Sequence, residues 1–126
     1  MNAQIKTEQL NSTNGHLSRE EIQQGLIKAG LAKSQIEISE VGCLGYATDV
    51  GPISLIPQAV IGIHSHADAE KAVKFAYQNN IPINARGAGS GLPGQAVGSG
   101  IVLDTRCMVE MKVLGDHPEG GKIILA

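Results

Sequence analysis

The chain is poor in aromatic residues and in net charge. It has no tryptophan, one phenylalanine and two tyrosines among 126 residues, and its net charge is −2. The near-neutral balance argues against nucleic-acid binding through a general basic field. No apolar run approaches the roughly 20 residues of a membrane-spanning helix, and the polar start does not resemble a signal peptide. We therefore expect a soluble, cytoplasmic protein that binds neither nucleic acid nor membrane.

Cysteine and histidine are also scarce. Cys43 and Cys107 are too few for a disulfide framework, and neither lies in a CxxC motif, so both are expected to be reduced thiols. His64 and His66, two residues apart on an extended segment, point to the same side. No CxxC or HxxxH spacing completes a ligand set around them, so we predict no metal site.

No arrangement of residues indicates catalysis by side chains alone. Ser90 has no histidine close to it in sequence, and Asp104, Glu110 and Asp116 fall on different predicted elements. We therefore assign no catalytic residue.

The pattern divides the chain into a leader and one small domain. Residues 1–16 are polar without a hydrophobic period and predict a mobile leader, whereas 17–126 predict a compact domain. Ser18 and Glu21 form a capping box for a first helix, which Gly30 ends.

The rest of the domain reads as short strands and one more helix. A strand at 59–63 precedes a helix that Ser65 or Asp68 caps and that runs to about Tyr77. Further strands are predicted at 81–85, 100–104, 109–114 and the end of the chain. The segment 39–55, which holds four glycine or proline residues, reads as a loop or broken strand. In it Asp49 is expected to close a turn.

The stretch between the strands 81–85 and 100–104 reads NARGAGSGLPGQAVGSG. So many residues without side chains indicate a backbone that bends tightly and closely approaches a ligand. The N–H groups of residues 87–91 can form an anion nest, with the Ser90 hydroxyl and Arg86 as further donors. A diphosphate would satisfy all of them.

Two common phosphate loops fit poorly. Gly89 to Gly94 matches GxGxxG, but that fingerprint requires a helix after its last glycine, and Gly98 and Gly100 leave no room for one. No lysine followed by serine or threonine closes the run as in a P-loop. A dinucleotide-binding Rossmann unit is therefore disfavoured.

The motif RGAGSGLPGQ followed by GIVLD resembles the FAD-linked oxidases of the vanillyl-alcohol oxidase and p-cresol methylhydroxylase (PCMH) type, with the glycolate oxidase and D-lactate dehydrogenase flavoproteins most similar. The resemblance spans roughly residues 46–126. It implies an α+β fold, the first subdomain of a PCMH-type FAD-binding domain, with a small mixed sheet and two main helices. It also implies a chain truncated relative to the family, with only the N-terminal half of the flavin domain.

The resemblance implies a cofactor site as well. The residues expected around the FAD diphosphate are Arg86, Gly87, Ala88, Gly89, Ser90, Gly91, Gly94 and Gln95. Ser90 stands where covalently flavinylated relatives carry a histidine, so non-covalent FAD is implied.

The function implied is the FAD-binding portion of a flavin-dependent oxidoreductase that oxidises a 2-hydroxy acid of the glycolate or D-lactate type. By the same resemblance, the substrate-binding part of such an enzyme is expected to lie outside these 126 residues. The alternative is a non-catalytic module that associates with a partner chain supplying the missing half. The unpaired backbone N–H and C=O groups of an edge strand can form hydrogen bonds with a strand of another chain.

Overall fold

The computed structural model describes residues 16–125, so the predicted leader lies outside the described residues except for His16. In chain order the elements are helix α1 (Arg19–Lys28), a 3-10 turn (Lys33–Gln35), strand β1 (Ile36–Glu37), helix α2 (Glu40–Leu44), strand β2 (Ala59–Gly62), helix α3 (His66–Gln78), and strands β3 (Ile83–Arg86), β4 (Ile101–Asp104), β5 (Lys112–Asp116) and β6 (Lys122–Leu125). Over these residues no helix combines the length and apolarity needed to cross a bilayer.

The caps of the two longer helices are confirmed. The Ser18 hydroxyl accepts a hydrogen bond from the Glu21 N–H at 3.1 Å, and the Glu21 carboxylate accepts one from the Ser18 N–H at 2.7 Å. At the start of α3, the Ser65 hydroxyl accepts from the Asp68 N–H at 3.2 Å. Gly30, with φ of +100°, follows α1 in the left-handed conformation that ends many helices.

Four strands form one mixed sheet in the order β1-β2-β4-β3. The strand β1 runs antiparallel to β2, whereas β2, β4 and β3 are parallel, with Ala59 and Ile83 both opposite Ile101. The helix α3 therefore connects two strands that are not neighbours, and β4 fills the place between them. Because parallel strands end at the same edge, the carboxyl ends of β2, β3 and β4 lie together.

The core lies on both faces of the sheet because side chains alternate along its strands. On one face Ile61, Ile101 and Leu103 pack with α1 and α3, where Ile22 and Leu26 are fully buried. On the other face Val60 and Val102 pack with Cys43 of α2, and Tyr46 lies against them. The core is thus split between two layers, one on each face of the sheet.

One element was missed in the segment predicted as a loop or broken strand. The residues Glu40–Leu44 form the helix α2, because the Ser39 hydroxyl accepts a hydrogen bond from the Gly42 N–H at 3.1 Å and caps the turn. Gly42 within the helix and Gly45 directly after it hid the helix in the sequence pattern. The rest of the segment is irregular, with one isolated antiparallel bridge between Thr48 and Ser54.

The strands β5 and β6 form a separate antiparallel hairpin. The two strands predicted at 109–114 and at the end of the chain are both present, although β5 begins and ends later than predicted. Both strands are exposed along their whole length, including Val113, Ile123 and Ile124. No layer among residues 16–125 covers these apolar side chains. An isolated two-stranded hairpin is only marginally stable in water, so a covering layer would stabilise this one.

The contact of α1 with α3 depends on a small residue. A Cβ added at Gly25 would lie 2.7 Å from Phe75 Cζ. We expect Gly25→Val to lower the free energy of unfolding by about 2 kcal/mol, because the ring is part of the packed layer and must shift. Thermal unfolding measures this. The same change made together with Phe75→Leu should cost less, and an equal cost in both backgrounds would contradict the close contact.

Candidate functional site

The loop between β3 and β4 presents consecutive backbone donors. Within the described part of the chain, the N–H groups of residues 87–91 have no hydrogen-bond acceptor, and the Ser90 hydroxyl has no partner. Gly87, Ala88 and Ser90 are exposed, and Gly89 and Gly91 are half-buried. Such N–H groups must be satisfied by water or by an anion. The loop therefore has the free donors that the anion-nest interpretation requires.

The structure requires glycine at position 89 of the loop but not at position 87. Gly89 has φ of +71°, and a Cβ there would lie 2.9 Å from Arg86 Nε, so the Arg86 side chain lies folded over Gly89. Gly87 has no left-handed φ and no atom within 4 Å of the position a Cβ would take. Neither backbone strain nor internal packing thus demands glycine at position 87, and open space remains there for a ligand.

The second half of the loop packs on the segment that follows α2. A Cβ at Gly94, whose φ is +82°, would lie 2.6 Å from Ile53 Cδ1, and the Gly91 carbonyl accepts a hydrogen bond from the Val50 N–H at 3.3 Å. A Cβ at Gly91 would lie 2.9 Å from Gln95 Oε1, so the Gln95 amide covers that glycine. The eight residues predicted as a cofactor site all lie in this loop or at its start, and their binding role stays a prediction.

No helix follows the GxGxxG match. Residues 91–100 are turns and bends before β4 begins. This result agrees with the expectation that disfavoured a Rossmann unit.

Arg86, at the end of β3, is held by neutral groups. Its Nη1 donates to the carbonyl of Thr48 at 2.8 Å and to that of Ala96 at 3.5 Å. Its guanidinium carbon lies 5.5 Å from the centre of the Tyr46 ring, within cation–π range. Among residues 16–125 no carboxylate pairs with it, so its positive charge is uncompensated at the loop.

A cluster beside the loop was missed by sequence reasoning. Asp104, at the end of β4, accepts hydrogen bonds from Arg106 Nε at 2.9 Å and Arg106 Nη2 at 2.6 Å. The Tyr46 hydroxyl donates to the same carboxylate at 2.7 Å and accepts from Arg106 Nη2 at 2.9 Å. The available signal was an aspartate at the end of a buried strand with an arginine two residues later.

These contacts shift two ionisations. The hydrogen bonds from Arg106 lower the pKa of Asp104 to about 2, although burial opposes them. Burial, reinforced by the Asp104 hydrogen bond, raises the pKa of the Tyr46 phenol above its ordinary value. At neutral pH the cluster thus consists of an ionised Asp104, a cationic Arg106 and a neutral Tyr46.

The turn predicted for Asp49 is confirmed. Its Oδ1 accepts a hydrogen bond from the Gly51 N–H at 2.7 Å. Its Oδ2 is buried without a hydrogen-bond partner in the described residues. The bond to Gly51 fixes the segment on which the glycine loop packs, which is a structural role.

His64 and His66 lie at the start of α3, on either side of its cap residue Ser65. Residues 16–125 contain no group of three histidine, cysteine or acidic side chains that could hold a metal ion. Cys43 is buried and Cys107 is exposed.

The sequence profile described as "FAD binding domain" matches residues 57–125. The D-lactate dehydrogenase of Archaeoglobus fulgidus is 35% identical over 79 residues, which cover 57% of this chain and 18% of that protein.

Three solved structures share the fold. p-Cresol methylhydroxylase with substrate bound gives a TM-score of 0.63 at 19% identity over 79% of this chain and 20% of its own. Alkyldihydroxyacetonephosphate synthase gives 0.60 at 20% identity over 74% and 20%, and 4-ethylphenol oxidase from Gulosibacter chungangensis gives 0.59 at 18% over 79% and 20%. The chain spans about a fifth of the length of each of these four proteins. The predicted fold of a PCMH-type FAD-binding domain is confirmed.

The Asp104 cluster makes stability depend on pH. Because the pKa of Asp104 falls from 3.8 to about 2 on folding, its contribution is complete above pH 3.8 and is lost as the pH falls through 2. We expect Asp104→Asn to cost roughly 2 kcal/mol at pH 7, with the difference from wild type shrinking towards pH 2. Urea unfolding at several pH values measures both. A difference that does not change with pH would contradict the assignment.

Proposed function

The chain belongs to the FAD binding domain family of flavin-dependent oxidoreductases, and from this we propose that residues 86–95 hold the diphosphate of FAD. The observation that carries the proposal is the run of unpaired N–H donors at 87–91 beside the uncompensated charge of Arg86. A diphosphate carries negative charge and many acceptor oxygens, so it matches both features.

The fit extends to the shape of the loop. Open space beside Gly87 allows an oxygen to approach the backbone, and the exposed Ser90 hydroxyl offers one more donor. Gln95, lying over Gly91, places an amide at the far side of the same surface. Because position 90 is serine and not histidine, the proposed FAD is bound without a covalent link at this residue.

The flavin, when bound, supplies the hydride acceptor of an oxidoreductase. The described residues supply binding and charge, since Arg86 and the loop donors neutralise the diphosphate. No general acid or base is assigned to them. We therefore propose that this chain holds the cofactor and that substrate contacts come from protein outside residues 16–125.

We propose a 2-hydroxy acid of the D-lactate or glycolate type as the substrate class. The support is the 35% identity to a D-lactate dehydrogenase over 79 residues. The solved structures that share the fold carry names of enzymes with other substrates, and at 18 to 20% identity they bear on the fold alone.

A second candidate is a module that acts by association with a partner chain. The exposed hairpin favours it, because β5 and β6 leave Val113, Ile123 and Ile124 facing solvent. In that arrangement the partner supplies the second wall of the flavin site.

The diphosphate site can be tested at Gly87. We expect Gly87→Ala to weaken FAD binding about tenfold, because a Cβ occupies the space that a phosphate oxygen needs, while the stability changes by no more than about 0.5 kcal/mol. Calorimetry and flavin fluorescence measure the affinity, and thermal unfolding measures the stability.

The matched control is Gly115→Ala. Gly115 also has no atom within 4 Å of a built Cβ and no left-handed φ, but it lies in the β5–β6 hairpin. The Gly115→Ala variant should bind FAD with the same affinity as wild type. Equal affinities for wild type and Gly87→Ala would remove Gly87 from the site, and a folded wild-type chain that binds no FAD would show that this chain alone does not form the site.

The substrate class is tested under anaerobic conditions with this chain assembled with the protein that supplies the substrate contacts and loaded with FAD. We expect D-lactate or glycolate, and not p-cresol, to bleach the visible absorbance of the oxidised flavin. Bleaching by p-cresol alone would contradict the 2-hydroxy acid assignment. FAD that is bound to this assembly but reduced by none of these compounds would contradict the assignment as well.

A further inference from the structure

Tyr46 links the glycine loop to the charged cluster at the end of β4. Its ring is half-buried against Val60 and Val102, so its position is set by the core. The guanidinium carbons of Arg86 and Arg106 both lie over this ring, at 5.5 and 5.8 Å from its centre. Two cations thus lie against one aromatic ring, and among residues 16–125 only Arg106 of the two forms an ion pair with a carboxylate.

That carboxylate is fully engaged by Arg106. Both oxygens of Asp104 accept from the Arg106 side chain, and Oδ1 also accepts from the Arg106 backbone N–H at 3.1 Å. The remaining bond to Asp104 comes from the Tyr46 hydroxyl. The charge of Arg106 is therefore balanced, whereas Arg86 keeps its full charge for an external anion.

The direction of the Arg86 side chain is set by three neutral contacts. The carbonyls of Thr48 and Ala96 hold Nη1, and the Tyr46 ring lies beside the guanidinium carbon. Nε and Nη2 are then left against Gly89, where the unpaired N–H groups of the loop are. Without the ring, the long side chain could swing towards solvent.

We propose that Tyr46 is a positioning residue that holds the Arg86 guanidinium over Gly89, so that a diphosphate-class anion meets a preset cation. The identity of that anion rests on the proposed function. The ring and the hydroxyl of Tyr46 have different roles. The ring orients Arg86, and the hydroxyl donates the last hydrogen bond to the Asp104 carboxylate. The two roles can therefore be separated by substitution.

The test compares Tyr46→Phe with Tyr46→Leu. Phenylalanine keeps the ring and removes the hydroxyl, so it should lower the thermal midpoint but keep ADP affinity within about twofold of wild type. Leucine removes the ring as well and should reduce ADP affinity about fivefold or more. Calorimetry with ADP measures this without requiring a complete flavin site.

A second readout does not need a ligand. The NMR signal of the Arg86 Nε–H is assigned by its loss in Arg86→Lys. In wild type the ring current of Tyr46 should move its chemical shift away from that of a solvent-exposed arginine. Tyr46→Phe should preserve that displacement, and Tyr46→Leu should abolish it. If the leucine variant does not fold, Tyr46→Met provides similar volume without an aromatic face.

Two results would overturn the proposal: an Arg86 resonance that is the same with and without the ring, or equal losses of ADP affinity in the phenylalanine and leucine variants. A failure of the proposed function looks different. In that case wild type binds neither ADP nor FAD, while the Arg86 resonance still decides whether Tyr46 positions the guanidinium.

Discussion

The parallel pairing of β3 with β4 is the constraint on which the rest of the structure depends. Parallel neighbours require a connection that returns the whole length of the strands, and such connections are usually helices. Here residues 87–100 make the return without a helix, so their backbone has to find other partners. The later glycines allow close packing: a Cβ at Gly100 would lie 2.9 Å from the Pro82 carbonyl carbon, and one at Gly94 would meet Ile53. The first five residues find no internal acceptor, which is why the proposed diphosphate-binding donors lie at the start of the loop and not along all of it.

Charge at this edge of the sheet is distributed unevenly. Asp104 and Arg106 compensate each other in a two-pronged ion pair, which contributes to stability at neutral pH. Arg86, on the neighbouring strand, receives only carbonyl and aromatic contacts. If Asp104 paired with Arg86, the loop would lose its cation, so the short spacing between Asp104 and Arg106 protects the site. Stability and binding therefore depend on the same few residues through different bonds.

Local features of the fold could be predicted from the sequence, and long-range ones could not. The caps at Ser18 and Ser65 and the buried strand at 101–104 follow from patterns within a few residues, and all are present. The Tyr46 hydrogen bonds span 58 and 60 residues, and no local pattern encodes that pairing. The position of β4 between β2 and β3 was equally hidden, because strand order does not follow chain order. The glycine motif marked the loop that we propose as the diphosphate site, but Tyr46 and Arg106 could be connected to it only once the sheet was assembled.

Within residues 16–125, both the open glycine loop and the exposed β5–β6 hairpin lack a protein surface that would exclude solvent from them. Donors that face water lose much of their advantage to hydration, so a tight diphosphate site needs a second surface that excludes solvent. The β5–β6 hairpin, with apolar side chains exposed on a two-stranded sheet, needs a packing surface to be stable. A chain that spans about a fifth of its relatives' length presents both needs together. In the proposed function, protein outside residues 16–125 would have to meet both needs.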